Sequence, residues 1–381
     1  MQYTNYSLSK NTYIKARIGW QGLTTAEYHE TGNYYLVTGT DIKNGYVNFN
    51  DCVFVSKDRY LQDHHIQLKL NDVLISKDGT IGKVAYVNNL PLPATLNSGV
   101  FLLRCDNEIL TQKYFYYILQ SKIFKSFINQ TSAGSTITHL YQKDIVKFSF
   151  NIPKLKKSQH HIVNIMESVD SAISSLKKYR TKVNNMFNGA LSKHFDSKNI
   201  DECLIEDILM LKKGKQFNGD KLTSDGIYKM YNGGISYSGL LNNYNVSKNT
   251  IIISEGGNSC GFVNYITEDF WAGGHCYYAI TNKKYNKKYL YYALKHSQEK
   301  MMKLRVGSGL PNIQKKSLYK FEIKMSKDND IQNEYQLIFD SFEEKIKSLD
   351  SKITKYENIR EGLLNGLFTG KIDVPENYEE V

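Results

Sequence analysis

Two histidine pairs, His64-His65 and His160-His161, and the trio Cys260, His275 and Cys276 are the residues whose types suit metal chemistry. Adjacent side chains diverge in a regular strand or helix, so neither pair converges on one ion. The trio lacks a fourth ligand, and the reading is no metal. The stretch Gly79-Thr80-Ile81-Gly82-Lys83 is not a phosphate loop of the Walker kind. Two residues separate the glycines instead of four, and Val84 stands where Ser or Thr is required. An adenine methyltransferase of the usual kind needs an Asn/Asp-Pro-Pro-aromatic turn, but Pro91, Pro93, Pro153, Pro311 and Pro375 are never adjacent. Neither a Gly-rich dinucleotide turn nor a Walker motif is visible, which excludes a motor ATPase. Scattered carboxylates leave a hydrolytic nuclease as an open alternative. No catalytic residue is assigned.

Polar and cationic side chains beside glycines suit a polyanion, with Lys and Arg on phosphates and amide or carboxylate groups on base edges. Lys77, Asp78, Thr80 and Lys83 flank Gly79 and Gly82, while Glu255, Asn258 and Ser259 surround Gly256 and Gly257. Glu accepts from a cytosine amino group and Asn pairs with adenine. Asn97 with Ser98, and His275, stand just before candidate strands, and Lys212, Lys213, Lys215 and Gln216 mark another turn. Two further stretches offer Ser135, Thr136, His139, Tyr141 and Lys143, then Ser308, Asn312, Gln314, Lys315 and Lys316. A plain surface turn or a solvated charge run is the alternative for each. In the last two stretches Gly134, Gly307, Leu140 and Ile313 suit a seating role, and the lysines suit phosphate.

Composition agrees with such a partner. The chain has 381 residues and a net charge of +11, with a pI near 9.1, which favours a polyanion over the plainer account of a lysine-rich proteome. At 41% hydrophobic it is an ordinary globular composition, and 29 Tyr and 17 Phe supply both core and stacking surface. The five scattered cysteines form no CxxC pair, so a reducing cytoplasm is expected. The N-terminal MQYTNYSLSKNTYIK has no apolar h-region, and no apolar run reaches the ~18 residues of a membrane span, so no membrane partner is expected.

The elements that must position these residues come in the order globular, helix, globular, helix. Expected boundaries are 1–153, 154–197, 198–325 and 326–371, followed by an acidic tail, 372–381. The first globular part reads as short strands around Tyr34–Val37, Asp72–Ile75 and Val100–Leu103, with a helix over Gln112–Asn129. The second reads as strands at Thr250–Ile253 and Cys276–Ile280, with a helix over Lys287–Lys303. Two heptad seams lie between and after them. One is Ile162, Met166, Val169, Ile173, Leu176, Val183 and Phe187, interrupted by Arg180. The other is Tyr335, Phe339, Phe342, Ile346, Leu349, Ile353, Tyr356, Leu363 and Leu367. Steps of three and four mark coiled-coil helices. A lone helix with so narrow a seam needs a partner in water, and the other copy is the nearest one. Two helices packed separately on their own domains are the alternative.

The two halves also repeat. A shift of 173 positions brings Gly134 onto Gly307, Lys143 onto Lys316, Phe148 onto Phe321, Gln159 onto Gln332, Ile173 onto Ile346 and Phe195 onto Phe368. A two-copy chain can form a pseudo-two-fold object, which suits a ligand with two similar halves such as duplex DNA. The expected fold class is α+β: two globular mixed α/β domains separated by two long helices that form an intramolecular antiparallel coiled coil.

On these residues the chain resembles the specificity subunit of Type I restriction-modification systems. The resemblance rests on the element order and on the duplicated junction SAGSTITHLYQKDIVKFSFNIP (132–153) and GSGLPNIQKKSLYKFEIKM (307–325). RIGWQGL (17–23), KDGTIGKVAYV (77–87), ATLNSGVF (94–101), SEGGNSCGF (254–262) and WAGGHCY (271–277) are similar to that family's target-recognition modules. Copy two ends in Met325 where copy one has Ile152-Pro153, a departure from the family pattern.

The resemblance implies a chain that does no chemistry and binds no cofactor. Each module reads one half of a bipartite, asymmetric DNA target, and the paired helices set the gap. The helices also dock two DNA adenine methyltransferase subunits, which use S-adenosylmethionine. A restriction subunit that translocates with ATP and Mg is an optional further partner. A specificity subunit of a system cutting beside its site, and a coiled-coil scaffold for protein partners, are the alternative readings.

Overall fold

The computed structural model of the protein describes residues 1–132, 139–198, 200–217, 222–307, 309 and 311–374. The chain packs as two units. One holds residues 1–175 with the chain from Ile353 onward, and the other holds Leu176–Lys352.

Unit 1 is built on a six-stranded sheet. Its order is Thr12–Lys15, Val100–Cys105, Val73–Ser76, Val84–Tyr86, Tyr46–Val47 and Ile42–Lys43. Val73–Ser76 reads as an uninterrupted buried run, as befits a strand covered on both faces. One face packs on Tyr114, Phe115, Tyr117 and Phe124, and the other on Val37, Ile66, Leu68 and Leu96. A second sheet places Tyr35–Val37 parallel to Ala94–Leu96.

Unit 2 repeats the plan, with fewer strands among its described residues. Leu209–Lys213, Cys276–Thr281, Thr250–Ser254 and Val263–Ile266 form its main sheet. Tyr228–Tyr231 lies parallel to Phe270–Ala272 in a smaller one. In each unit a two-stranded ribbon closes the globular part just before a long helix. Tyr3–Ser7 pairs with Ser149–Pro153, and Asp201–Leu204 pairs with Glu322–Met325.

The helices expected inside the modules are each broken in two. Gln112–Ile118 is followed by Lys122–Ser132, and Lys287–His296 by Gln298–Met302. At the first break the buried Ser121 hydroxyl donates to the Ile118 carbonyl at 2.7 Å, a side-chain bond that competes with the helical ladder. Ser297, also buried, marks the second break.

The long helices are Lys156–Phe195 and Asn329–Phe368, each 40 residues and so about 60 Å. In unit 1 the start of the first helix packs against the end of the second: Ile162, Val163 and Met166 share one core with Leu364, Leu367 and Phe368. In unit 2 the end of the first packs against the start of the second: Phe187, Leu191 and Phe195 share a core with Phe339. Both pairings are antiparallel. Each module is thus gripped by the beginning of one repeat copy and the end of the other. Tyr114 meets Phe368 at 4.7 Å between ring centroids in unit 1, and Tyr289 meets Phe195 at 5.4 Å in unit 2.

The seam residues fall as follows. Ile162, Met166, Ile173, Val183, Phe187, Phe339, Leu349, Ile353 and Leu367 are buried. Val169, Leu176, Tyr335, Phe342, Ile346 and Leu363 are partly exposed, and Tyr356 is exposed at 37%.

Candidate nucleic-acid interface

Three loops of unit 1 meet at one end of its main sheet. The loop after Val73–Ser76 folds on itself: the Ser76 hydroxyl donates to the Thr80 carbonyl at 2.5 Å, and Gly82 N–H donates to the Ser76 carbonyl at 2.9 Å. Gly82 sits at φ +80°, a region that glycine occupies without strain. Lys77 N–H donates to Gly99 in the loop before Val100–Cys105, and Leu140 N–H of the junction donates to the Lys77 carbonyl at 2.8 Å. Backbone bonds therefore stitch loop, pre-strand loop and junction together. On that frame the Asp78 carboxylate contacts His139 Nδ1. His139 lies 4.6 Å from the Tyr141 ring, and Lys143 Nζ lies 5.4 Å from that ring. Lys77 is half-buried beside Phe101, and burial holds its ammonium below the ordinary lysine range.

Unit 2 builds the same frame from different side chains. Gly261 N–H donates to the Ser254 carbonyl at 2.8 Å, with Gly261 at φ +86°. Glu255 N–H donates to the His275 carbonyl at 2.9 Å, and Ile313 N–H donates to the Glu255 carbonyl at 2.8 Å. Ile313 is the repeat partner of Leu140, and Glu255 stands where Lys77 stands. The Glu255 carboxylate accepts from Lys213 Nζ at 2.8 Å and from the Tyr277 hydroxyl at 2.7 Å. Burial, reinforced by that carboxylate, pushes the Tyr277 hydroxyl above its ordinary value. Each frame holds polar and cationic groups, the residue types that suit base edges and phosphates.

The structure brings Lys77, Asp78, His139, Tyr141 and Lys143 together in unit 1, and Lys213, Glu255, His275 and Asn312 together in unit 2. Thr80 and Lys83 share the first loop, with Thr80 exposed. Asn97 turns inward: its amide donates to the Tyr28 hydroxyl at 2.7 Å and its carbonyl accepts Ser98 N–H at 2.7 Å. Ser259 likewise donates to the Gly233 carbonyl at 2.6 Å, while Asn258 is exposed. Lys212 alternates with Lys213 along Leu209–Lys213 and so projects from the opposite face. Lys215 and Gln216 are exposed beside Gly273-Gly274. Gln314, Lys315 and Lys316 are exposed at the start of a short helix. Ser135, Thr136 and Ser308 lie outside the described residues.

Spacing did not reveal the support beneath the frames. Arg17 is fully buried, with Nε donating to the Leu96 carbonyl at 2.8 Å and Nη1 to Gln62 Oε1 at 3.0 Å. It ties the 17–23 segment to the strand that precedes the Asn97 loop. Lys113 and Glu167 pair at 3.0 Å in unit 1, and Lys288 and Asp340 pair at 2.6 Å in unit 2. Tyr117 donates to Asp170 at 2.9 Å, as Tyr292 does to Glu343. Glu167 and Asp340, like Asp170 and Glu343, are repeat partners at the same shift of 173. The doublets Tyr116-Tyr117 and Tyr291-Tyr292 mark the corresponding tyrosines in the sequence. All five cysteines are free and buried. Among the described residues no group of three or more His, Cys, Asp or Glu could hold a metal ion, and no helix is long and apolar enough to cross a membrane.

Comparison with known proteins follows the same division. The Type I restriction modification DNA specificity domain matches twice, over residues 21–185 and 198–357. A chain of Mycoplasma genitalium described as a type I specificity subunit is 30% identical over 167 residues, which cover 43% of each chain. A similarly described chain of Mycoplasma pneumoniae is 34% identical over 161 residues, covering 42% of this chain and 43% of that one. The aligned region thus spans less than half the length of these relatives. The crystal structure of a Type I restriction-modification S subunit from M. genitalium superposes with a TM-score of 0.64 at 19% identity, covering 98% of this chain and 97% of that one. A chain from a structural study of type I complex assembly superposes with a TM-score of 0.59 at 12% identity, over 97% and 98%. With both modules matched and the fold shared from end to end, the chain belongs to the Type I restriction-modification DNA specificity subunits.

Proposed function

We propose that this chain reads a bipartite, asymmetric duplex target, one half-site per module, and directs two copies of a DNA adenine methyltransferase subunit to it. It takes no part in the chemistry itself. S-adenosylmethionine belongs to the methyltransferase, and ATP with Mg to a restriction subunit where one joins, all in the cytoplasm. One observation carries this reading: each unit holds the same three-loop backbone frame and fills it with different side chains. Lys77 with Asp78 and His139 stands in one frame, and Glu255 with Lys213 and Asn312 in the other. A shared frame with divergent contacts suits two different short sequences on one double helix.

The test is a genome-wide methylation map in a host with and without the chain. A split motif of two short half-sites should depend on it, and replacing residues 1–153 by another module should change one half-site only. Methylation without sequence preference by the assembled complex would overturn the proposal. So would turnover by the purified chain alone with Mg²⁺ and S-adenosylmethionine.

A further inference from the structure

The seam of the second long helix contains a charge. Phe339, Ile346, Ile353 and Leu367 recur at sevens, and Arg360 takes the step between the last two. In unit 1 its guanidinium grips both carboxylate oxygens of Asp170 on the first helix, and Nη2 also donates to Gln120 Oε1 at 2.9 Å. The other Asp170 bond comes from the Tyr117 hydroxyl at 2.9 Å. Four side chains, from the first module and from both helices, thus share one network. The Arg360 and Asp170 side chains are only 24% and 22% exposed.

An apolar heptad seam is nearly indifferent to a slip of seven residues, whereas a charge within it is not. Such a slip would set Asp170 against Ile353 or Leu367 and leave both charges half-buried and unpaired. The repeat shows that this feature belongs to one end only. The copy-one position equivalent to Arg360 is Phe187, which packs in unit 2 on Tyr292 and Phe342. The other seam arginine, Arg180, pairs with Asp350 where the side chains are 40% and 51% exposed, a setting in which ion pairs contribute little.

We propose that Arg360, some 240 residues from Gln120 along the chain, is a positioning residue for the first module. It locks the register of the helices in unit 1. Through Gln120 and the Asp170–Tyr117 bond it also sets the seat of the module, and so the half-site gap that the complex accepts. This inference rests on the bipartite reading above.

The full chain, assembled with its methyltransferase subunits, is assayed on duplexes in which both half-sites are fixed and the gap varies in single base pairs. Arg360→Ala should raise methylation at neighbouring gaps relative to the preferred gap by tenfold or more. Arg180→Ala should change that ratio less than twofold, and the exchange Asp170→Arg with Arg360→Asp should restore it. Base discrimination in the second half-site should match wild type throughout. An unchanged gap ratio for Arg360→Ala, or an equal change for Arg180→Ala, overturns the inference. If Arg360→Ala fails to assemble, Arg360→Lys, which keeps the charge without the two-oxygen grip, is judged by the same ratio. A wild-type complex with no preferred gap overturns the bipartite reading, and this inference with it.

Discussion

The side-chain carbonyl of Gln159 accepts the backbone N–H of Thr111 at 3.0 Å, joining the start of the first long helix to the cap of the module helix Gln112–Ile118. Its amide donates to the carbonyls of Ile109 and Pro153, both at 3.0 Å. The repeat partner Gln332 accepts Asn286 N–H at 2.7 Å and donates to the Ser326 carbonyl at 2.9 Å. Both glutamines are fully buried.

Gln159→Ala should therefore destabilise unit 1 by about 2–4 kcal/mol, because buried backbone groups lose their partners. Hydrogen exchange should show lost protection over 109–118 and 149–153 while unit 2 stays protected. Gln332→Ala should invert the pattern. A uniform loss across both units in either variant would argue against this reading.

The seam predicts an unequal response to charge. Ile173 is buried whereas Ile346 is partly exposed. Ile173→Asp should cost about 3–5 kcal/mol and Ile346→Asp about 1–3 kcal/mol. Urea unfolding of the two variants checks the order, and equal costs would contradict the packing described for the two units.

His194 predicts an acid-sensitive unit 2. Its Nε2 meets the Tyr289 hydroxyl at 2.7 Å, and its ring stacks on Tyr335 at 3.6 Å. Ser326 N–H donates to that hydroxyl, which leaves the hydroxyl proton for a neutral imidazole. Burial lowers the His194 pKa to about 4. Between pH 6.5 and 4 the unfolded chain binds the proton and the folded one does not, so stability falls as pH drops through that window. The loss should approach ~3 kcal/mol. His194→Leu, which copies Leu367 at the repeat-equivalent position, should flatten the curve in thermal melts from pH 7 to 4.

The exposed junction lysines predict a salt effect. Replacing Lys143 or Lys316 with Ala should lower the slope of log K against log salt by about 1 and weaken cognate and non-cognate duplexes alike. Fluorescence anisotropy of the assembled complex measures both. A change in base preference without a change in slope would assign these lysines a different role.

Much of the architecture was legible because its signals are local. Heptad steps report helices directly, and the shift of 173 links Gln159 to Gln332 without any structure. The loop frames were harder to see. Ser76 and Ser254 are related by 178 positions rather than 173, so the match between loops falls out of register with the match between junctions. The bonds from Lys77 to Gly99 and Leu140 join segments remote in sequence, which spacing cannot report. Arg360 was missed for a related reason. A charge in a heptad reads as an interruption until its partner Asp170, on the other helix, is in view. The glycines of the 76–83 loop, by contrast, announced the tight turn that Gly82 makes.

The crosswise grip on each module bears on the order of synthesis. Tyr114 is made early and Phe368 late, yet the two rings lie 4.7 Å apart. At ~5–20 residues per second, the ribosome adds the stretch between the two parts of unit 1 in something on the order of 10–40 s. Throughout that time the first module has no Phe368 or Leu367 to cover its tyrosines. A premature stop in the final helix would therefore cripple the portion of the protein that was translated first.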